Sequence, residues 1–326
     1  MDRRTFISTM SCGVVAAPLI ATAQTGTTVR RIGYLVPGAP ETPAELQQTF
    51  APLRKLGWIE GQNVHFERRY ANGRAELLHP LAEELVRLKV ELIVTEGTPA
   101  TLAAKNATNT IPIVFWSAGD PVRSGLVATL AKPDGNVTGF AIIGSEMDAK
   151  RLQVLRELLP SVQRVGVLEN STNPHYRAVR EDLEQAARAL GMQPIFVEVA
   201  TAGELANGVA EIARRGGQAM LIGPDNLFNE NRVELMQAAL KHSLPTTVSR
   251  LYIRETGALI SYAPAEAEHD ARAAAFIDRI LRGAKPADLP VEQPSKFLLI
   301  INLRTAKVLG VTVPQSLLLR ADEVIQ

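Results

Sequence analysis

The chain has 326 residues, 46% of them hydrophobic, with a formal net charge of +1. That is material for one large or two medium domains with real cores. The balanced charge, free of basic or acidic blocks, excludes a nucleic-acid footprint, and a single cysteine excludes a disulfide framework.

The first stretch, "MDRRTFISTMSCGVVAAPLIATAQ", carries a basic start, a short apolar run and a small-x-small end at Ala21-Thr22-Ala23. This is the pattern of an export signal cleaved after Ala23. Thr9, Ser11 and Pro18 interrupt the apolar run, whereas a membrane span needs about 20 apolar residues. Arg3-Arg4 followed by Phe6-Ile7 resembles a twin-arginine signal. Cys12 lies too early in the apolar segment to favour a lipoprotein anchor. Cleavage leaves 33 basic and 33 acidic residues and no cysteine.

The rest alternates strand and helix patterns. "RIGYLVP" reads as a strand and 44–56 as a helix. "NVHFERRY" alternates like a half-buried strand, and 74–88 is helical with Leu77, Leu78, Leu81, Leu85 and Leu88 on one face. Leu92-Ile93-Val94 is a strand that breaks at Gly97-Thr98-Pro99, before an alanine-rich helix and the strand Ile113-Val114-Phe115. After "NVTGF" come a helix over 145–159, strand "RVGVLEN", helix 176–190 and strand "PIFVEV". Helix 204–214, strand "AMLIG", helix 229–242 and strand "PTTVS" complete the series. Such alternation implies parallel sheets with helices on both faces.

The series occurs twice. "RIGYLVPGAP" matches "RVGVLENSTNP" at an offset of 133 from Ile32 to Val165, and "NTIPIVF" matches "HSLPTTV" at the same offset. "LRKLGW" matches "ARALGM", and "LIVTEGTP" corresponds to "AMLIGPDN". The period is far too long for a solenoid. The expected fold class is α/β: two doubly wound parallel-sheet lobes joined by hinge crossings. The expected division is a signal at 1–23, an N-terminal lobe of 29–140 plus a returning tail 263–326, and a C-terminal lobe of 141–262. Within the tail, 265–281 reads as a long helix, "FLLIIN" as a strand, and a short helix starts at Leu303.

Open parallel sheets bind ligands beyond the carboxyl ends of their strands. The residues there are Tyr34, Gly97-Thr98-Pro99, Trp116 and Asp120 in the first lobe. In the second they are Asn170, Asn173 and Asp225-Asn226. Thr98-Pro99 fits a helix start, with Thr as N-cap and Pro in the first turn. Such a start offers N–H groups to a ligand carboxylate, or Thr98 simply caps its helix. Asp120 and Asp225 suit a ligand ammonium or serve as turn formers. Tyr34 and Trp116 can stack on a ligand or pack in the core. No phosphate loop, serine elbow or metal-ligand spacing occurs, and the five histidines are scattered. Binding therefore fits better than catalysis, and no cofactor or metal is expected.

"LRKLGWIEGQNVHFERRYANG", "ELIVTEGTPATLAAK", "IPIVFWSAGDPVRSGLVATLAKPDGNVTGF" and "KPADLPVEQPSKFLLIINLRTAKVLGVTVPQSLLLRADEVI" resemble the ABC-transporter substrate-binding proteins of the tryptophan/tyrosine type. The resemblance covers about 29–325. It implies a type I periplasmic-binding-protein fold that closes on a small ligand and delivers it to a permease in the inner membrane, with aromatic amino acids bound by some members. It puts Thr98, Asp120, Asn173 and Asp225 on pocket loops. "LENSTNPH" and Trp116 depart from the family's commoner text. A periplasmic monomer clamping a small carboxylate-bearing molecule is the leading expectation. A periplasmic enzyme or a ligand sensor on the same fold is the alternative.

Overall fold

The computed structural model describes residues 29–142, 145–249 and 253–326. The export-signal reading, with Cys12, falls outside them. The first lobe comprises β1 (Arg30–Val36), α1 (Pro43–Thr49), α2 (Ala51–Lys55), β2 (Val64–Tyr70), α3 (Leu78–Arg87), β3 (Leu92–Glu96), α4 (Gly97–Ala107), β4 (Ile113–Gly119) and β5 (Val137–Ile142). The second comprises α5 (Ser145–Leu158), β6 (Arg164–Asn170), α6 (Pro174–Ala189), β7 (Gln193–Val199), α7 (Leu205–Arg214), β8 (Ala219–Ile222), α8 (Asn226–Glu230), α9 (Arg232–Lys241), β9 (Thr246–Val248), α10 (Ile253–Thr256) and β10 (Ile260–Pro264). The tail holds α11 (Glu266–Leu281), β11 (Phe297–Asn302), α12 (Leu303–Val308), α13 (Gln315–Leu318) and β12 (Glu323–Ile325).

The repeat seen in the text is a repeat of topology. The first sheet has the order β2-β1-β3-β4-β5, and the second contains β7-β6-β8-β9-β10 in the corresponding places. Registers match as well: β1 pairs β2 from Arg30↔Val64 to Val36↔Tyr70, and β6 pairs β7 from Arg164↔Gln193 to Asn170↔Val199. Gly33 and Gly166 occupy equivalent points, where Leu85 of α3 and Ile212 of α7 pack so close to the strand that a Cβ would press on them.

Both faces of the first sheet are covered, so alternation along β1 is between two cores rather than between core and water. Ile32, Tyr34 and Val36 face the layer containing α11, while Leu35 joins α3 and α4 on the other side. The helix expected over 44–56 divides at Phe50. Thr42 and Glu45 form a capping box for α1, and Pro52 in the next turn has no N–H to continue the ladder. The helix expected over 229–242 likewise divides, at Asn231.

The tail differs most from expectation. It does not return whole to the first lobe. Helix α11 does, burying Ala273, Ala274, Phe276 and Ile277 against β4 and β5. Residues 286–292 follow the same lobe, with Ala141 N–H donating to Glu292 O at 2.8 Å and Thr138 Oγ1 to Leu289 O at 2.7 Å. The chain then crosses back. β11 runs antiparallel to β10, and β12 pairs parallel to β11, extending the second sheet to seven strands. The reason is burial on both faces: Leu299 and Ile301 enter one core of the second lobe, and Ile300 and Ile325 the other.

At the β4–β5 pairing Gly139 has φ +153, and a Cβ there would run into the Phe115 carbonyl oxygen and ring. Gly139→Ala should cost about 2–4 kcal/mol. Thermal unfolding should show a fall in Tm of roughly 5–10 °C. Gly203→Ala, with nothing within 4 Å of its Cβ position, should leave Tm unchanged.

Candidate functional site

The carboxyl ends of the strands in the two lobes face each other across a cavity. Gly97, Thr98 and Pro99 line it from the first lobe, and Asn170, Asn173, Asp225 and Asn226 from the second. Seven of the ten expected site residues therefore meet in one place.

The first wall is the start of α4. The N-cap is Glu96, in extended backbone, and Thr98 stands inside the first turn. Thr98 is therefore not the cap. Gly97 takes φ +73, a left-handed conformation suited to glycine, and the helix begins there rather than at Pro99. The Thr98 hydroxyl is buried and serves the neighbouring strand, accepting from Gly119 N–H at 3.2 Å and lying 3.4 Å from Gly119 O. The N–H groups of the first turn have no partner within the helix. Asn226 reaches this corner from the other lobe, its Oδ1 3.7 Å from where a Cβ on Gly97 would lie.

The second wall is built around Asp225. Its carboxylate accepts from Asn170 Nδ2 at 3.0 Å, Asn173 Nδ2 at 2.8 Å and Leu227 N–H at 2.8 Å. The last of these makes Asp225 the N-cap of α8. Asn170 also accepts from Thr172 N–H at 3.0 Å and Thr172 Oγ1 at 2.7 Å, while Asn173 caps α6 through His175 N–H at 3.1 Å. Burial pushes the Asp225 carboxyl above its usual range, and the three donors oppose the shift. An ammonium group would offset the same burial.

Three expected residues lie outside this cavity. Tyr34 is in the core, edge-on to Phe50, and its hydroxyl donates to Glu41 at 2.8 Å and also meets Glu96. Burial first, then the carboxylates of Glu96 and Glu41, holds the phenol well above its ordinary value. Trp116 is also buried. Its Nε1 donates to Asp270 Oδ1 at 3.1 Å, and its ring borders an adjacent, acidic opening with Glu96 and Asp270. Asp120 forms a turn, with φ +39 and its Oδ1 accepting from Arg123 N–H at 3.3 Å.

Several residues not singled out from sequence bring the lobes together. Arg123 of the first lobe pairs with Asp182 of α6 and donates to Ala178 O at 3.3 Å. Glu230 of α8 occupies the space that a side chain on Gly38 would need, and accepts from Ala39 N–H. His175 lies against Gly119. These contacts describe a closed clamp. No local text announces them, because each depends on how the lobes face one another.

The model of a family described as ABC transporter substrate binding protein matches residues 46–325. The chain is 26% identical over 257 residues to a tyrosine-binding protein of Clostridioides difficile (strain R20291), spanning 79% of this chain and 74% of that protein. Among solved structures it is similar to an ABC domain in complex with L-Trp from Streptococcus pneumoniae, at 25% identity and TM-score 0.83, covering 91% of this chain and all of that one. It is also similar to a conserved domain protein of Vibrio cholerae O1 biovar El Tor, at 26% identity and TM-score 0.84 with the same coverage. With its two parallel-sheet lobes and the cavity between them, the chain belongs to the ABC transporter substrate-binding protein family.

Proposed function

We propose that this chain is the exported receptor of an ABC importer and clamps an aromatic L-amino acid between its lobes. The observation that carries this reading is a pair of opposite polar poles on facing walls. The start of α4 offers N–H groups and a positive helix end to a carboxylate. Asp225 offers a carboxylate to an ammonium. Leu78, Ala118, Ile142 and Leu227 add apolar surface between them, as a site for a largely apolar side chain requires. The tyrosine-binding relative and the L-Trp complex support an aromatic side chain. Arg3-Arg4 and the small-x-small end at Ala23 support export with cleavage there, and membership of the family supports delivery to an inner-membrane permease.

Ligand enters the open cleft, engages one wall and draws the other in by hinge closure. Arg123 and Glu230 then hold the lobes together from opposite directions, one reaching from the first lobe and one from the second.

Isothermal titration of the protein with L-tryptophan, L-tyrosine and L-phenylalanine should show saturable binding of at least one. Asp225→Asn should weaken that binding at least about 30-fold, the scale of a lost buried charge-assisted contact. Indole-3-propionate, which lacks the ammonium, should bind both proteins equally weakly. Absence of binding by all three amino acids would remove this reading.

Closure is also linked to protons. Burial, with Glu96, Asp225 and Glu41 nearby, pushes the Glu230 carboxyl from 4.5 up to about 7 in the closed clamp, against the pull of the Ala39 amide. An acid with a raised value in the closed state takes up a proton on closing within that window. Closure is therefore favoured at the acid end and weakens as pH rises to about 7, then levels off. Burial of His175 acts in the opposite sense, so the comparison must isolate Glu230. The ratio of Kd for wild type to Kd for Glu230→Gln should rise between about pH 5 and 7 and stay flat above. A ratio independent of pH would count against the linkage.

A further inference from the structure

His175 is 1% exposed and borders the cavity, and among the described residues neither its Nδ1 nor its Nε2 makes a well-formed hydrogen bond. Buried polar groups almost always find partners, and an exception asks what completes it. Burial holds the imidazole below its ordinary value, so the ring carries one N–H donor and one acceptor. The Gly119 backbone approaches the ring and draws its value upward, without reaching good hydrogen-bond geometry.

The ring's position narrows the choice. It is seated on the second lobe at the start of α6, yet it abuts Gly119 of the first. A Cβ on Gly119 would lie 2.5 Å from His175 Nδ1 and 2.7 Å from Cε1. Gly119 is the residue held by the Thr98 hydroxyl, so the ring stands beside the corner where the first turn of α4 presents its N–H groups. The carboxylates of Asp120, Asp148 and Asp225 surround it. Asp148 is already matched by Arg151 at 2.5 Å, Asp225 by its asparagines, and Asp120 by its own turn. A ligand carboxylate entering this corner would face repulsion that a ring N–H directed at it relieves.

We infer, on the amino-acid reading given above, that His175 is a ligand-contacting residue. In the closed clamp it donates a hydrogen bond to the ligand carboxylate alongside the α4 amides, and Gly119 is glycine so that the ring can reach that position. The two lobes thus share one carboxylate, and the contact forms only when they close.

The test is a titration cycle with L-tryptophan and L-tryptophanamide, in which the carboxylate is replaced by a neutral amide. His175→Ala should weaken L-tryptophan binding about 10-fold or more and change L-tryptophanamide binding by less than about 3-fold. Retained amide binding also shows that the variant folds. His175→Gln, which keeps an N–H donor, should recover part of the loss. Gly119→Ala should weaken L-tryptophan binding in wild type and much less in the His175→Ala background, where the space is free. Equal losses for acid and amide would overturn the assignment while leaving the amino-acid reading intact. No binding of L-tryptophan, L-tyrosine or L-phenylalanine by the wild type would overturn both.

Discussion

A carboxylate withdrawn from water is tolerated only where donors surround it, and this requirement at Asp225 organises one whole side of the cleft. Two asparagine side chains and one helix N–H converge on it. To supply them, the loop after β6 must fold so that Asn170 and Asn173 point the same way. That fold in turn starts α6 and places Thr172 against Asn170. The position of α8 follows from the same carboxylate, which caps it. A ligand pole, two helix starts and a loop conformation thus share one electrostatic cause.

The opposite wall is held differently. There the hydroxyl of Thr98 ties the first turn of α4 to the end of β4 through Gly119, so the amides of α4 are offered from a rigid corner rather than a loose loop. Because Glu230 reaches from the second lobe and Arg123 from the first, the closed form is held by side chains of both lobes as well as by whatever fills its centre. Exposed pairs such as Arg123–Asp182 contribute little each, which suits a clamp that must reopen to release its cargo.

Much of the architecture was legible in the text because it is repeated. Matching landmarks such as Ile32 with Val165 and Pro112 with Pro245 correspond to matching strands, whereas the helices expected from 176 and 229 start earlier, at Pro174 and Asn226, where Asn173 and Asp225 cap them. Tyr34 and Trp116 were ambiguous because each ends an apolar strand. Their alternation with Ile32 and Val114 decides the matter, placing both in the layer under α11. Thr98 looked like a cap, but the helix begins at Gly97 and that role falls to Glu96. The strands β10 and β12 escaped notice because each is short, and β10 ends in a proline. His175, Glu230 and Arg123 owe their importance to contacts across the cleft, between residues whose neighbours in sequence say nothing of it.

The path of the tail bears on how the protein acquires its shape. After β10 the chain builds a helix onto the first lobe and then returns to finish the second sheet. Neither lobe is therefore a self-contained length of chain. The first lacks one helical layer until residue 281, and the second lacks its outer strands until residue 325. During synthesis both halves stay unfinished together, with their apolar faces open until nearly all of the polypeptide has emerged. Folding of the pair should be a late and mutually dependent event, and a protein cut between its lobes would give two incomplete sheets rather than two small domains.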